Sequence, residues 1–227
     1  MFKSREDLIT SFNSGEMLLE LYNKIHIQFL PVNGGWSINQ LVGSGSLTMY
    51  PSLLHLQAGP SINSSVLTLS GIHGFDTSGI LNLNWGKKTF FSATISILGE
   101  SNSNFVSHVF LTQEELTFGS LSHKGIGITI ENTSLKGVNY NTGLYKSEEL
   151  FSLNPSTGGG VNVTIINDPS IPATDWYINS TLKKRDNTQV PVSGSVNIRV
   201  SVGVTNGASA GANNNVYVSR IIVGQVI

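Results

Sequence analysis

Apolar and polar residues alternate strictly in several separate segments of this chain. The alternation covers residues 91–97, 126–130, 161–165 and 196–204, and a shorter stretch at 81–85 shows it too. A period of two places every second side chain on the same face of a β-strand, so each segment has one apolar and one polar face. Gly, Asn and Pro separate the segments, and no long helical pattern lies between them. The pattern predicts an all-β chain of about a dozen antiparallel strands, packed as a sandwich or barrel.

The apolar positions of these strands form the predicted core. Side chains that share the apolar face of a half-buried strand point away from solvent. The alternation therefore predicts burial between two sheets for Leu81, Leu83, Ile95, Ile97, Ile128, Val163, Val200, Val202 and Val218. Trp85 alternates with two of these leucines and is interpreted as a core residue.

The first 30 residues follow a different pattern. They hold seven charged residues, whereas residues 30–99 hold three. The apolar residues at helical spacing are Leu18, Leu21, Tyr22 and Ile25. Pro31 and the following glycine pair end this pattern. The sequence predicts a helical arm over 1–30 and one β domain over 31–227, with the arm packed either on its own domain or on another subunit.

Composition excludes several classes of protein. Lys and Arg number 13 and Asp and Glu 14, a net charge of −1, which lacks the positive potential of a nucleic-acid binder. The chain has no cysteine, so disulfides and thiolate metal sites are impossible. Its apolar runs are too short for a membrane-spanning helix, so we expect no membrane insertion. The first residues lack a cationic start followed by an apolar stretch, so we expect no secretory signal peptide.

Three stretches in order resemble the concanavalin-like (laminin-G-like) jelly rolls. The first runs from Trp36 through a Gly-Ser-Gly turn at 43–45 to a strand at 64–69. The second, 123–143, resembles the central strand, turn and return strand of the family. The third contains the aromatic strand 175–179 and the closing strand 216–223. The family often has Gly after the Asn that ends this aromatic strand, whereas this chain has Ser180. The resemblance implies a two-sheet antiparallel jelly-roll sandwich with one concave sheet.

Acidic residues decide whether this chain can be a glycosidase, because many concanavalin-like proteins are glucanases. Glycoside hydrolysis needs two carboxylates about 5–9 Å apart. On one strand they would stand at i and i+2 or i+4, and Asp76 is the single acidic residue in 31–99. The glutamate pairs at 114–115 and 148–149 are adjacent and would point to opposite faces. The sequence predicts no enzymatic activity. The alternative is a glycoside hydrolase with a cross-strand pair from Glu100, Glu114 or Glu131.

Metal and cofactor sites find little support in the sequence. The histidines are widely spaced, at His26, His55, His73, His108 and His123, and none forms a metal-binding pair. A calcium site remains an alternative, because calcium accepts scattered oxygen ligands such as those of Asp76, Asp168 and Asp175. The glycine run at 158–160 precedes a strand rather than a helix, so it predicts no nucleotide site. The basic run at 183–185 is predicted to form the turn of a hairpin over 176–192. No metal and no cofactor is predicted.

The sequence thus favours a structural or attachment protein that is a virion surface component or an extracellular protein. Expected partners are further copies of the chain or other virion proteins, together with a glycan. The alternative is a carbohydrate-binding module, in which exposed aromatic rings stack on sugars and amides bind the hydroxyl groups. Candidate carbohydrate-binding residues are Trp36, Tyr145, Trp176, His55, Gln57 and Asn206. Asn206 lies in a loop from Thr205 to Asn215 that is rich in small residues and is either a recognition loop or merely mobile.

Overall fold

A computed structural model describes residues 25–29, 36–70, 84–99, 106–112, 124–154, 158–194, 199–206 and 213–226. These residues form β-strands joined by turns. The strands are β1 (Ile25–Phe29), β2 (Trp36–Val42), β3 (Ser46–Tyr50), β4 (Leu53–Ala58), β5 (Ser65–Ser70), β6 (Thr89–Gly99), β7 (Val106–Thr112), β8 (Gly125–Glu131), β9 (Ser134–Tyr140), β10 (Leu144–Ser152), β11 (Val161–Asp168), β12 (Ala173–Ile178), β13 (Thr181–Asp186), β14 (Arg199–Thr205) and β15 (Asn214–Val226). Within these ranges, no helix is long and apolar enough to cross a membrane.

The strands form two antiparallel sheets. Sheet A has eight strands in the order β13-β12-β11-β6-β15-β4-β3, and β1 pairs with the second half of β15. Sheet B has seven strands in the order β10-β9-β8-β7-β14-β5-β2. In the described part of the chain, seven of the thirteen strand pairs join strands that are not consecutive in the sequence, as expected of a jelly roll rather than a meander. The predicted fold class, an all-β antiparallel sandwich, is confirmed.

The core lies between the sheets and contains the predicted residues that the structure describes. These are Ile95, Ile97, Ile128, Val163, Val200, Val202 and Val218, each at most 2% exposed. Trp85 is fully buried in the same cluster, as interpreted from its alternation. Leu81 and Leu83 lie outside the described residues. The period-two pattern therefore identified the core-facing side of the strand at each of these described positions.

Trp176 crosses the core and links the two sheets. It is fully buried on β12 of sheet A, and its indole Nε1 donates a hydrogen bond to the Gly127 carbonyl oxygen of sheet B, at 3.0 Å. The ring lies directly over Gly137 on β9, where a Cβ atom would come within 2.5 Å of the indole. A residue without a side chain is therefore required beneath Trp176.

The structure places the start of the β domain earlier than the sequence predicted. Ile25–Phe29 form β1, in register from Ile25 opposite Val226 to Phe29 opposite Ile222. The prediction of a helical arm reaching residue 30 is therefore wrong at its C-terminal end. Residues 25–29 pair with the second half of β15, and this long-range pairing replaces the predicted helix there. The rest of the predicted arm, residues 1–24, lies outside the described residues.

The predicted hairpin over 176–192 exists, but its turn lies elsewhere. Ile178 is opposite Thr181, so Asn179 and Ser180 form a two-residue turn. Both have positive φ angles, 48° and 67°, as a type I′ turn requires. The basic run at 183–185 lies inside β13 and not in a turn. The chain reverses earlier, at Asn179 and Ser180, because these two residues adopt positive φ angles.

Candidate functional site

The outer face of sheet A carries a group of aromatic and amide side chains. Strand β4 alternates, with Leu54 and Leu56 fully buried and His55 and Gln57 on the opposite, partly exposed face. Strand β15 pairs with β4 so that Tyr217 is opposite His55 and Asn215 is opposite Gln57. Tyr50, from the adjoining strand β3, is 47% exposed. We call the surface formed by Tyr50, His55, Gln57, Asn215 and Tyr217 the aromatic face.

Three rings of the aromatic face lie nearly parallel. The ring centroids of His55 and Tyr217 are 4.5 Å apart with an interplanar angle of 13°. The centroids of Tyr50 and His55 are 6.5 Å apart with an angle of 18°. Stacked rings of this kind restrict one another, so the three side chains form a pre-ordered row across β3, β4 and β15.

Hydrogen bonds fix the amide of Asn215 and, through it, the imidazole of His55. Asn215 Nδ2 donates to the carbonyl oxygens of Leu98, at 3.0 Å, and Asn213, at 3.1 Å. Its Oδ1 is therefore the acceptor that faces His55 Nε2 at 2.8 Å. Because Asn215 Oδ1 can only accept, Nε2 donates this hydrogen bond, which selects the tautomer in which Nδ1 is a hydrogen-bond acceptor.

The aromatic face contains no charged side chain. Burial raises the pKa of the Tyr217 hydroxyl, and the Tyr50 hydroxyl raises it further. Tyr217 is therefore protonated at neutral pH and can donate a hydrogen bond. Phenol hydroxyls, carboxamides and an imidazole acceptor, combined with apolar ring surface, suit a ligand that has hydroxyl groups beside flat apolar patches.

The outer face of sheet B is different, because its centre is buried. His108 and Phe110 of β7 stack with ring centroids 4.6 Å apart, and both are about 5% exposed. Leu67, Phe110 and Val138 form a separate apolar cluster on this face. Burial lowers the pKa of His108 to about 3, so its imidazole is neutral at physiological pH. Its Nε2 lies 3.2 Å from the Ser201 hydroxyl. This part of sheet B is therefore closed to a polymeric ligand.

Carboxylates on the central strands of sheet B do not form a pair. The outward positions of β8 are held by Gly125, Gly127, Thr129 and Glu131, and β7 and β14 contain no acidic residue. Glu131 forms ion pairs with Lys136, at 2.8 Å, and with Lys146. Hydrogen bonds from Lys136 and Lys146 lower its pKa. A carboxylate held ionised in this way is poorly suited to be the general acid of a glycosidase.

Two of the predicted carbohydrate-binding residues are core residues. Trp36 is 9% exposed and Trp176 is fully buried, both in the cluster between the sheets. Trp176 is closed to solvent and Trp36 is nearly so, so the structure does not place either ring to stack on a sugar. Burial of their large apolar surfaces in the sandwich accounts for both positions.

Tyr145 and Asn206, two more of the predicted residues, make structural contacts. The Tyr145 hydroxyl donates to Asp186 Oδ2 at 2.6 Å and links β10 of sheet B to β13 of sheet A. Burial and this hydrogen bond raise its pKa to about 12. Asn206 is buried, donates to the Gly59 carbonyl oxygen and accepts from Asn214 Nδ2 at 2.8 Å. These contacts hold strand ends and a loop base in place.

His55 and Gln57 remain as predicted site residues on an accessible face, and the sequence missed their neighbours. Tyr50, Asn215 and Tyr217 join them through cross-strand register, since Asn215 and His55 are separated by 160 positions in the chain. The alternation of polar residues with Val216 and Val218 in the closing strand was the available signal. This alternation indicated that Asn215 and Tyr217 share one face of their strand, but it did not indicate that the strand pairs with β4.

Acidic residues considered for calcium are paired with cations. Asp168 Oδ2 lies 2.7 Å from Lys88 Nζ. Asp175 accepts two hydrogen bonds from the Arg185 guanidinium, at 2.7 and 3.0 Å. Asp76 lies outside the described residues. Within the described ranges, no three His, Asp or Glu side chains come together as metal ligands would.

Comparison with solved structures establishes the fold. One similar structure is a Bacillus licheniformis β-glucanase, with a TM-score of 0.58 and 13% identity over 88% of this chain and 98% of that chain. The carbohydrate recognition domain of Emp47p has a TM-score of 0.57 and 12% identity over 90% and 97% of the two chains. The chain has the concanavalin-like jelly-roll fold. No protein-family model matches it, and no curated protein matches it.

A third similar structure comes from botulinum neurotoxin type C, which needs two ganglioside molecules to enter cells. Its TM-score is 0.58, with 13% identity over 91% of this chain. This chain spans about half of the toxin chain, 49%. Concanavalin-like jelly rolls thus include glucanases, a carbohydrate recognition domain and part of a toxin, so the residues of this chain must decide between these functions.

Proposed function

We propose that this chain is a non-enzymatic glycan-binding protein and that the aromatic face of sheet A contacts the sugar. The observation that carries the proposal is the row of three parallel rings beside two amide side chains on an accessible, uncharged surface. Ring faces and edges contact the apolar faces of sugars, and Asn215, Gln57 and His55 Nδ1 hydrogen-bond to hydroxyl groups.

The absence of charge on this face favours neutral oligosaccharides over acidic ones. The five side chains of the aromatic face offer no cation to replace the hydration of a carboxylated or sulfated sugar, so binding such a sugar there would cost desolvation energy. A neutral hexose offers hydroxyl donors and acceptors that match neutral amides and phenols. Within this fold the ligand is therefore expected to be an uncharged glycan.

The non-enzymatic part of the proposal rests on the central strands of sheet B. Their outward positions carry Glu131 as the one acidic side chain, and two lysines already neutralise it. A pair of carboxylates in two protonation states is the minimum for glycoside hydrolysis. We expect no release of reducing sugar from β-glucans. Turnover that disappears in Glu131→Gln or Glu114→Gln would contradict this part of the proposal.

We further propose that glycan binding serves attachment, at a virion or other external surface. One observation supports this role: a toxin that needs gangliosides to enter cells contains a similar structure. Gangliosides are acidic glycolipids, so this likeness supports attachment through a cell-surface sugar but not the choice of sugar. Beads coated with the protein should bind cells and lose binding after enzymatic removal of cell-surface glycans. Binding that survives complete deglycosylation would contradict an attachment role through sugars.

A glycan array with matched variants tests the site. Tyr217→Ala removes the ring that stacks on His55 at 4.5 Å, and Tyr50→Ala removes the exposed ring on the other side of His55. Loss of one aromatic contact of about 0.5–1.5 kcal/mol predicts roughly three- to tenfold weaker binding for each. Tyr145→Phe is the control, because that hydroxyl joins strands away from this face. Binding that is unchanged in both alanine variants but lost in the control would move the site elsewhere.

A further inference from the structure

The edges of the two sheets differ sharply in charge. Among the described strands, β10 and β13 form the edges on one side, and β2 and β3 form those on the other side, where β1 also forms part of the edge of sheet A because it pairs with β15 alone. Strand β13 contains two lysines, an arginine and an aspartate, and β10 contains a lysine and two glutamates. Strands β2 and β3 contain no charged residue. Charged side chains on an edge strand prevent pairing with another molecule, so only the β2–β3 side lacks this protection.

Strand β1 joins sheet A only along the end of β15, and of the other two uncharged edges β3 is the more regular. It pairs on one side with β4 in unbroken register, from Ser46 opposite Gln57 to Tyr50 opposite Leu53. Strand β2 has a register shift between Ile38 and Gln40, which bends its edge. Every residue of β3 except Leu47 is exposed, and Met49 is 45% exposed. The edge of β3 is therefore open to a further strand.

We propose that β3 pairs antiparallel with β3 of a second copy of this chain, forming a two-fold symmetric dimer with a continuous sheet A. Sheet extension of this kind satisfies the outward backbone N–H and C=O groups of both edge strands. A two-fold axis through Thr48 gives the same contacts to both copies, as symmetric homodimers require.

The sequence of β3 is self-complementary in this register. Centring the pair on Thr48 places Thr48 opposite Thr48 of the second copy and Leu47 opposite Met49. Ser46 then lies opposite Tyr50, a small residue beside a large one. Apolar and threonine pairs across antiparallel strands are stabilising, and no like charges meet. The charged edges β10 and β13 offer no such match, which identifies a second β3 as the occupant.

The dimer would also place two aromatic faces on one surface. Tyr217 lies two strands from the dimer axis in each copy, on β15 behind β4 and β3. With strands about 4.8 Å apart, the two Tyr217 residues would be roughly 24 Å apart. A bivalent ligand could contact both faces, a consequence that rests on the proposed function. The strand pairing itself does not depend on it.

Opposite charges at the axis provide the test. Analytical ultracentrifugation of the full chain at about 1–100 µM should show a concentration-dependent species of twice the 24.4 kDa monomer mass. Thr48→Lys and Thr48→Glu each place like charges directly opposite one another, and each should weaken dimerisation at least about tenfold. An equimolar mixture of the two variants should form a heterodimer. Leu182→Lys adds the same charge to the exposed edge β13 and should leave the dimer intact.

Each outcome bears on the proposal. A wild-type chain that remains monomeric at about 100 µM, or a Thr48→Lys variant that dimerises normally, overturns it. Dissociation by Leu182→Lys would place the interface at the opposite edge and overturns it equally. A mixture of the two Thr48 variants that stays monomeric overturns the two-fold pairing. Circular dichroism of each variant, with the β spectrum of the parent as the criterion, confirms that the variants compared are folded.

Discussion

The contact between Gly137 and Trp176 gives a quantitative prediction for the core. Gly137→Ala would place a Cβ atom 2.5 Å from indole Cε2, 2.7 Å from Cδ2 and 2.9 Å from Nε1. These distances are far below normal carbon contacts of about 3.5–4.0 Å, so the ring must move. Movement is restricted because Nε1 also donates a hydrogen bond to Gly127, at 3.0 Å. Overpacking of this kind costs about 1–3 kcal/mol, and a strained hydrogen bond adds about 1 kcal/mol.

Thermal and urea unfolding of single and double variants would test this reasoning. For a chain of this length each kcal/mol lowers the melting temperature by about 2–4 °C, so Gly137→Ala should lose roughly 4–16 °C. Trp176→Leu removes the indole atoms that the added methyl group would strike, although it also loses the hydrogen bond. The double variant should therefore be more stable than the sum of the two single effects predicts, by at least about 1 kcal/mol. Strictly additive effects would refute the steric argument.

Gly160→Ala is the control, with its nearest contact a methyl group at 3.2 Å, and should change stability by less than about 0.5 kcal/mol.

Three further substitutions test the strand register, a turn and a buried histidine. Val200→Asp buries a charge between the sheets and should cost several kcal/mol; an unchanged melting temperature would show that the register is wrong. Ser180→Gly relieves a φ of 67° and should stabilise the hairpin by about 0.5–1 kcal/mol in urea unfolding, whereas a loss of stability would mean that the serine side chain is needed. Burial lowers the pKa of His108 to about 3 from 6.5, so the unfolded chain takes up a proton first as the pH falls. Wild-type stability should therefore fall by about 1.4 kcal/mol per pH unit below pH 6.5, and His108→Gln should lack this component in unfolding curves at about pH 7 and pH 5.

Local rules predicted the fold of this chain well because strand alternation is a local property. Ile95, Val163 and Val202 are buried because each occupies the apolar face of its own strand, wherever that strand pairs. The errors came from long-range effects. Ile25 fits a helical stripe with its neighbours in sequence, but β15 is long enough to pair with both β4 and β1. The lysines at 183–184 suggested a solvated turn, but the turn formed at the residues that accept positive φ.

Prediction of the site failed for the same reason. A polar residue on an alternating strand can be placed on a face, as His55 and Gln57 were, but its neighbours on that face come from other strands. The stack of His55 on Tyr217 depends on the pairing of β4 with β15, which no local pattern specifies. Tryptophans attracted attention as large aromatics, yet size favours burial, and Trp36 and Trp176 both pack in the core. Tyrosine rings with an exposed hydroxyl were the better candidates for the surface.

The low charge of the chain connects the proposed ligand with the proposed dimer. Residues 30–75, which include β2, β3 and β4, contain no Lys, Arg, Asp or Glu. A neutral face can bind hydroxyl groups without the cost of desolvating an ion, and a neutral edge can accept another strand without like-charge repulsion. Strand β10 carries three charged residues and β13 carries four, on the side of the sandwich where neither event is proposed. A sheet edge that stays exposed to solvent is usually protected by charged side chains, especially lysine. The lack of charge on the β2–β3 side is therefore better explained if that side binds another molecule.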